Sequence, residues 1–199
     1  MNLINVNLNL NIDANEITKP IATYIKKAAN ALGTSYQPTR NVNDTDEAQQ
    51  QIAKELDDTE LETLKSLLDQ ARREQKNISD IFKKSVKVLN AKANPEDIDT
   101  EELEEDWIAY CFEHCRTVSD EEMQNLWAEL LSGKASNPKT FSKRTVNLVS
   151  KLEKREAQLF NQFCQFCWMV EGEITPLIYN PKAQIYNRRD INFDHLKYL

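Results

Sequence analysis

Four cysteines carry the clearest chemical potential in this sequence: Cys111, Cys115, Cys164 and Cys167. The spacing within each pair places two thiols on one face of a predicted helix. Two such helices in contact would offer four thiolates to a zinc ion, with His114 beside the first pair. The alternative is core packing, because the pairs share their helical stripes with Trp107 and Trp168. A zinc-binding turn usually contains Gly or Pro, and neither separates the paired cysteines here, so we expect core packing and no metal.

A basic segment between residues 134 and 155 is the second chemical feature. Glu153 is its only acidic residue. With Ser142 starting a helix, the segment could contact phosphate groups of a nucleic acid. The alternative is a solvated face, or an intramolecular partner for the acidic run at 96–106, and the net charge of −7 favours that alternative. The nucleic-acid candidates are Lys139, Lys143, Arg144, Lys151, Lys154 and Arg155.

Catalytic motifs are missing from the sequence. It contains no Gly-rich phosphate loop, no GxSxG and no HExxH, and neither of its two histidines stands beside a plausible nucleophile. The carboxylates of "SDEEMQ" are explained by helix capping and the helix dipole. We therefore expect a protein that is not an enzyme and needs no cofactor.

Composition indicates a helix-rich chain. Its 199 residues include only three Gly and six Pro, and 29% are charged. No run of 18 apolar residues exists, so stable membrane insertion is not expected. The N-terminus also lacks the basic and apolar regions of a signal peptide. These features predict a cytoplasmic protein with reduced thiols.

The N-terminal region, residues 1–45, predicts a strand, a helix and a linker. Apolar and Asn residues alternate over 4–12, which is typical of a strand with one apolar face. Residues 17–32 predict an amphipathic helix ended by Gly33, which either packs on a neighbour or lies on a membrane surface; packing is favoured. The strand's apolar residues, candidates for self-association, are Ile4, Val6, Leu8, Leu10 and Ile12.

A long helix is predicted over about 46–91, in a segment bounded at 46–93. Its apolar residues recur at spacings of three and four, as in a coiled coil. A helix of that length exceeds the width of a compact domain of this size, so it should project, bend or pack against another copy. The candidate seam residues are Leu61, Leu64, Leu68, Ile78 and Phe82.

Caps and stops predict the helices that begin the C-terminal domain, residues 94–199. Ser119 and Glu122 form a capping box for a helix that Gly133 ends. Ser142 is expected to cap the next helix.

The last part of the chain predicts one more helix and then a hairpin. A second capping box at Ser150 and Glu153 begins a helix that ends at Gly172, and its apolar second half belongs in the centre of a core. Residues 174–187 predict two short strands, which residues 4–12 would join from the same chain or a neighbouring one. A final helix begins near residue 190.

The core motif W…SDEEMQxLWA…G…PxxFSxRT resembles that of a family of uncharacterised bacterial proteins, a domain of unknown function. The similarity continues more loosely to the end of the chain and into the N-terminal half. It implies no chemistry; it implies an accessory role in phage defence or mobile elements, and a winged-helix-like end of which this chain carries a part. The matching residues are Asp106, Trp107, Ser119, Asp120, Glu121, Glu122, Met123, Gln124, Leu126, Trp127, Gly133, Pro138, Phe141, Ser142, Arg144 and Thr145.

The expected fold is mainly α: an N-terminal strand and amphipathic helix, a long coiled-coil-like helix, and a C-terminal helical domain with a small β-hairpin. The expected function is a self-associating scaffold of a bacterial cytoplasmic complex, with a homo-oligomer, another protein, or both as partners. One alternative is a nucleic-acid-binding regulator that uses the basic surface at 139–155. The other is a membrane-acting effector that uses helix 17–32.

Overall fold

A computed structural model of the protein describes residues 18–35, 57–92, 98, 100–180 and 183–187. The predicted strand at 4–12, the start of the long helix at 46–56 and the final helix near 190 lie outside these residues. The chain forms two compact units, Met1–Ser150 and Lys151–Leu199. The fold class expected from the sequence is confirmed: the chain is mostly helical, with one long helix and a small antiparallel hairpin.

The first unit is built from helices. α1 packs mainly on α3, and α2 packs mainly on α4. Their apolar faces form one core, in which the Phe82 ring lies 4.9 Å from that of Tyr24 and 6.1 Å from that of Phe112. The helices are α1 (Lys19–Ser35), α2 (Asp58–Lys92), α3 (Glu105–Cys115), α4 (Glu121–Ser136) and α5 (Lys143–Lys151).

The predicted amphipathic helix at the N-terminus is confirmed as α1. Pro20 occupies its first turn, where the missing N–H costs nothing. Ile21, Tyr24 and Ala28 are buried in the core, so the face that a membrane would need is already covered. Gly33 does not end the helix, which runs on to Ser35; that expectation was wrong.

Burial along the long helix α2 changes sharply. At about 1.5 Å per residue its 35 residues span roughly 52 Å. Among the described side chains, none between 58 and 73 is buried, whereas Ile78, Phe82 and Leu89 are. The C-terminal half of α2 is therefore part of the core, and the described side chains of its N-terminal half are exposed or half-buried.

The helix α4 begins and ends differently from the prediction. Asp120, not Ser119, is the N-cap, and its carboxylate accepts hydrogen bonds from the backbone N–H groups of Glu122 and Met123 at 3.1 Å each. Gly133 does not end the helix, which continues to Ser136. By contrast, α5 begins directly after Ser142, as expected.

The second unit corrects the prediction of one helix from Ser150 to Gly172. Glu153 and Glu156 form the capping box of α6 (Lys154–Cys164), and the chain then turns into β1 (Cys167–Val170). β1 pairs antiparallel with β2 (Glu173–Pro176), so the hairpin lies earlier than the 174–187 predicted for it. A one-turn helix, α7 (Gln184–Asn187), follows, and the Phe166 ring packs on Tyr186.

Candidate functional site

The first pair of candidate metal ligands is sealed in the core. Cys111 and Cys115 on α3 have no exposed surface, and burial raises the pKa of the Cys111 thiol well above its usual range. The Cys115 thiol donates to the Phe112 carbonyl at 3.7 Å. His114 Nδ1 donates a hydrogen bond to the Tyr110 carbonyl at 2.9 Å, within the same helix. Cys111 and Cys115 therefore pack as small apolar core residues do.

The second pair lies at an exposed turn of the second unit. Cys164 is the last residue of α6 and is exposed; Cys167 is the first residue of β1 and is half-buried. Partial burial and the adjoining Cys167 thiol raise the pKa of Cys164. Among the described residues, no group of three or more potential metal ligands occurs. The position of this pair deep inside a core helix, expected from the sequence, was wrong.

The basic candidates divide between the two units. Lys139, Lys143 and Arg144 are exposed in the first unit, on the α4–α5 loop and the first turn of α5. The Lys143 ammonium lies 5.3 Å from the centre of the Tyr110 ring, a cation–π distance. Lys151, the last residue of α5, stands where the second unit begins; Lys154 and Arg155 lie on α6 in that unit, and all three are exposed.

Lys134, the first residue of the basic segment, has a local structural role. Its ammonium donates to the carbonyls of Pro138 and, at 2.8 Å, Thr140, and lies 5.4 Å from the centre of the Trp107 ring. Partial burial lowers the pKa of Lys134, and the Glu104 carboxylate partly offsets this. Lys134 therefore holds the α4–α5 loop rather than facing a ligand.

The acidic run meets α1 at several described positions. Lys27 donates to the carbonyls of Glu101 at 2.6 Å and Leu103 at 2.8 Å, and Asn30 donates to the Glu105 carboxylate at 2.8 Å. These contacts join two segments about 75 residues apart in sequence. Helix α1 thus supplies a cation and an amide to the acidic run. The sequence had suggested the basic segment at 134–155 as the intramolecular partner of this run.

An apolar surface on the hairpin is the feature that sequence reasoning missed. Met169 pairs with Ile174 across the strands, and their side chains are 68% and 72% exposed. Trp168, on the other face, is 64% exposed. Glu171 and Gly172 form a two-residue loop with φ of 52° and 87°, as a type I′ hairpin turn requires, and Gly172 was the sequence signal for that turn. The turn was not predicted because the apolar residues before it were assigned to a helix that ends at Gly172.

The seam candidates on α2 differ in their availability. Ile78 and Phe82 are buried in their own chain's core, which leaves them no surface for a second copy. Leu61 and Leu68 are half-buried, and Leu67, which was not a candidate, is 59% exposed. The side chain of Leu64 and the strand at 4–12 lie outside the described residues.

The fold and its surfaces define a mainly helical protein with a hairpin unit that exposes apolar side chains. None of its described helices combines the length and apolar character needed to cross a bilayer. The chain belongs to a family of proteins of unknown function, DUF2806, which matches residues 63–192. No curated protein and no solved structure matches it significantly. The resemblance inferred from the motif is thus confirmed at the level of a family without an assigned function.

Proposed function

We propose that this chain is a non-enzymatic interaction protein that associates with itself, and that the hairpin is its main contact surface. The observation that carries the proposal is the exposure of Trp168, Met169, Val170 and Ile174 on a sheet that has two strands among the described residues. We further propose that the occupant of this surface is the opening strand, residues 4–12, of a second copy.

Strand addition suits both partners. A two-stranded hairpin is marginally stable alone in water, and a third strand supplies backbone hydrogen bonds along a free edge. The alternating apolar residues of 4–12 provide one continuous apolar face, as the pair Met169 and Ile174 requires. Full burial of one such side chain contributes about 1.5–3 kcal/mol, so the partial cover that an added strand gives to Met169 and Ile174 offsets a part of the roughly 1–2 kcal/mol per residue that ordering the strand costs.

Exchange between copies is favoured over closure within one chain by the sequence itself. The Asn-rich face of 4–12 specifies register weakly, and weak register permits pairing with a second chain. The exposed start of α2, with Leu67 at its surface, offers a second contact for the same pair of chains. In this proposal the assembly is a scaffold of a bacterial cytoplasmic complex, which serves phage defence or a mobile element as the motif resemblance implies.

Solution mass tests the proposal. By light scattering, the full chain should form a dimer or larger oligomer, and the chain beginning at Asp13 should be a monomer. Met169→Lys should also weaken the oligomer, whereas Leu148→Lys, at an exposed apolar position on α5, should leave it intact. Circular dichroism confirms that each variant remains folded. A full chain that is monomeric at all concentrations, or a Met169→Lys oligomer as stable as the wild type, would refute the proposal.

Nucleic-acid binding is a second candidate, favoured by one observation. Lys139, Lys143 and Arg144 are exposed around the N-terminus of α5, where backbone N–H groups and cations suit a phosphate. Fluorescence anisotropy with labelled DNA and RNA should then show binding that weakens steeply with salt and is lost with Lys143→Glu plus Arg144→Glu. The matched control is Lys65→Glu plus Lys87→Glu, which changes the charge equally on α2. Absence of binding at low salt would end this candidate.

A further inference from the structure

Helix α6 divides its side chains between two faces of different chemistry. With 3.6 residues per turn, all the basic and carboxamide side chains of the helix and its C-cap fall within about a third of its circumference. The opposite face carries Leu159 and Phe163, which are half-buried. The residues of the polar face are Lys154, Arg155, Gln158, Asn161, Gln162 and Gln165, all exposed except the half-buried Gln162.

The charge on this polar face is the reverse of the charge on the chain. Asp and Glu outnumber Lys and Arg by 32 to 25 in the sequence, yet no acidic residue belongs to the polar face of α6. The acidic residues at the start of the helix, Glu153 and Glu156, lie on the other side and form its capping box, in which Glu153 N–H donates to the Glu156 carboxylate at 2.8 Å. The polar face therefore complements a polyanion that the rest of the chain would repel.

The carboxamides on this face have the chemistry that reads DNA bases. A Gln or Asn side chain donates and accepts hydrogen bonds at the same time, which matches the N6 and N7 edge of adenine in the major groove. Gln158, Asn161 and Gln165 follow one another at spacings of three and four, so they form a row along the helix axis. A row of this kind can meet successive base pairs.

The dimensions of α6 also fit the major groove. Its 11 residues span about 16 Å, and a helix with its side chains is about 10–12 Å across, in a groove about 12 Å wide. Lys154 and Arg155 occupy the first turn, where the backbone N–H groups also favour a phosphate. The cations would thus contact the DNA backbone while the carboxamides reach the bases.

We propose that the polar face of α6 binds double-stranded DNA by lying in the major groove, with Gln158, Asn161 and Gln165 reading base edges. Glu171 and Glu173, exposed at the tip of the hairpin, would be repelled by phosphates, so the tip is not part of the site. The inference goes beyond the proposed self-association. It also does not need the phosphate contact proposed at α5, which belongs to the first unit.

Selection from a pool of random duplexes tests the inference with the full chain. Duplexes retained at physiological salt should share a short sequence motif, because phosphate contacts alone carry no base information. Gln158→Ala plus Asn161→Ala should weaken binding to the selected duplex by about tenfold or more, and binding to an unrelated duplex by less than about twofold. The matched control, Gln70→Ala plus Asn90→Ala, removes two exposed carboxamides from α2 and should change neither affinity.

The cations of α6 should respond differently from its carboxamides. Lys154→Ala plus Arg155→Ala should weaken binding to every duplex alike, and should reduce the slope of log affinity against log salt by about 2. Circular dichroism confirms that each variant remains folded, since all four substituted positions of α6 are exposed.

The contrary outcomes can be told apart. Retained duplexes without a shared motif, whose binding is lost with Lys143→Glu plus Arg144→Glu, would refute base reading and support the contact at α5. A motif whose affinity survives Gln158→Ala plus Asn161→Ala would place the reading surface elsewhere and refute the inference. Tighter binding to single-stranded DNA or RNA of the same sequence would exclude the major groove. Absence of binding to any duplex at low salt would also refute the inference, and light scattering on the same sample reports self-association independently.

Discussion

Gly133→Ala tests the close packing between α4 and the loop that follows it. A Cβ atom at Gly133 would lie 2.5 Å from Cε2 of Phe141, well inside van der Waals contact. The substitution has an opposing benefit, because Ala is favoured over Gly inside a helix by about 1 kcal/mol. Overpacking of this kind costs about 1–3 kcal/mol. With a steric cost of about 2 kcal/mol, the expected net loss of stability is about 1 kcal/mol.

The Phe141→Ala background reverses the expected sign. Once the ring is removed, Gly133→Ala should stabilise by about 1 kcal/mol, so the two sites should show a coupling of about 2 kcal/mol. Urea denaturation followed by tryptophan fluorescence measures this, with Trp168→Phe in every variant so that the signal comes from the first unit. If Gly133→Ala has the same effect with and without Phe141, the ring does not pack on Gly133.

Three further predictions concern the first unit. Tyr24→Phe removes the hydroxyl 3.0 Å from that of Ser85 and should lower the free energy of unfolding by about 1 kcal/mol; no change in urea denaturation would contradict the buried bond. Burial raises the pKa of the Cys111 thiol, so on raising the pH the unfolded chain loses the thiol proton before the folded chain does. The free energy of unfolding should therefore be unaffected below about pH 8.5 and fall above it by up to about 1.4 kcal/mol per pH unit. Urea denaturation of Cys111→Ala should show a shallower fall. Lys134→Met removes the ammonium that donates to the Thr140 carbonyl and should cost about 2 kcal/mol by the same denaturation, against no loss if the loop holds itself.

Sequence patterns predicted the helices of the first unit well where period and caps agreed. In α4 the apolar residues Met123, Trp127 and Leu130 recur at helical spacing and are buried. The N-cap of α4 is Asp120, one residue after the predicted Ser119. Both side chains can accept the hydrogen bonds of an N-cap, and only the backbone geometry decides between them. Gly133 resembled a helix stop, but its role is to admit the Phe141 ring, which depends on a contact that no local pattern encodes.

The second unit was predicted less well for a physical reason. A short apolar run has no period that separates a helix from a strand, so the residues of β1 were assigned to a core helix. The loop at Glu171 and Gly172 was the available signal, and the expectation of a continuous helix outweighed it. Hairpin residues expected at the centre of a core, Trp168 among them, are therefore exposed.

The sequence could not show which of the two cysteine pairs is buried and which is exposed. Both cysteine pairs have helical spacing and apolar neighbours, yet Cys111 is fully buried and Cys164 is exposed. Which face of an element meets the core depends on tertiary packing. The division of the basic candidates between two units was equally hidden, because the change from α5 to α6 interrupts an otherwise continuous charged segment.

The packing of α1 on α3 has a consequence for synthesis of the chain. Pro20 and Thr100, which meet in the folded unit, are 80 residues apart. At about 5–20 residues per second, α1 leaves the ribosome roughly 4–16 s before its partner has been made. Before α2 is made, Ile21 and Tyr24 have no core to enter, and until α3 is made that core is incomplete. The nascent chain therefore presents an apolar helix that a chaperone can hold, and slow codons between α1 and α3 should increase its dependence on that help.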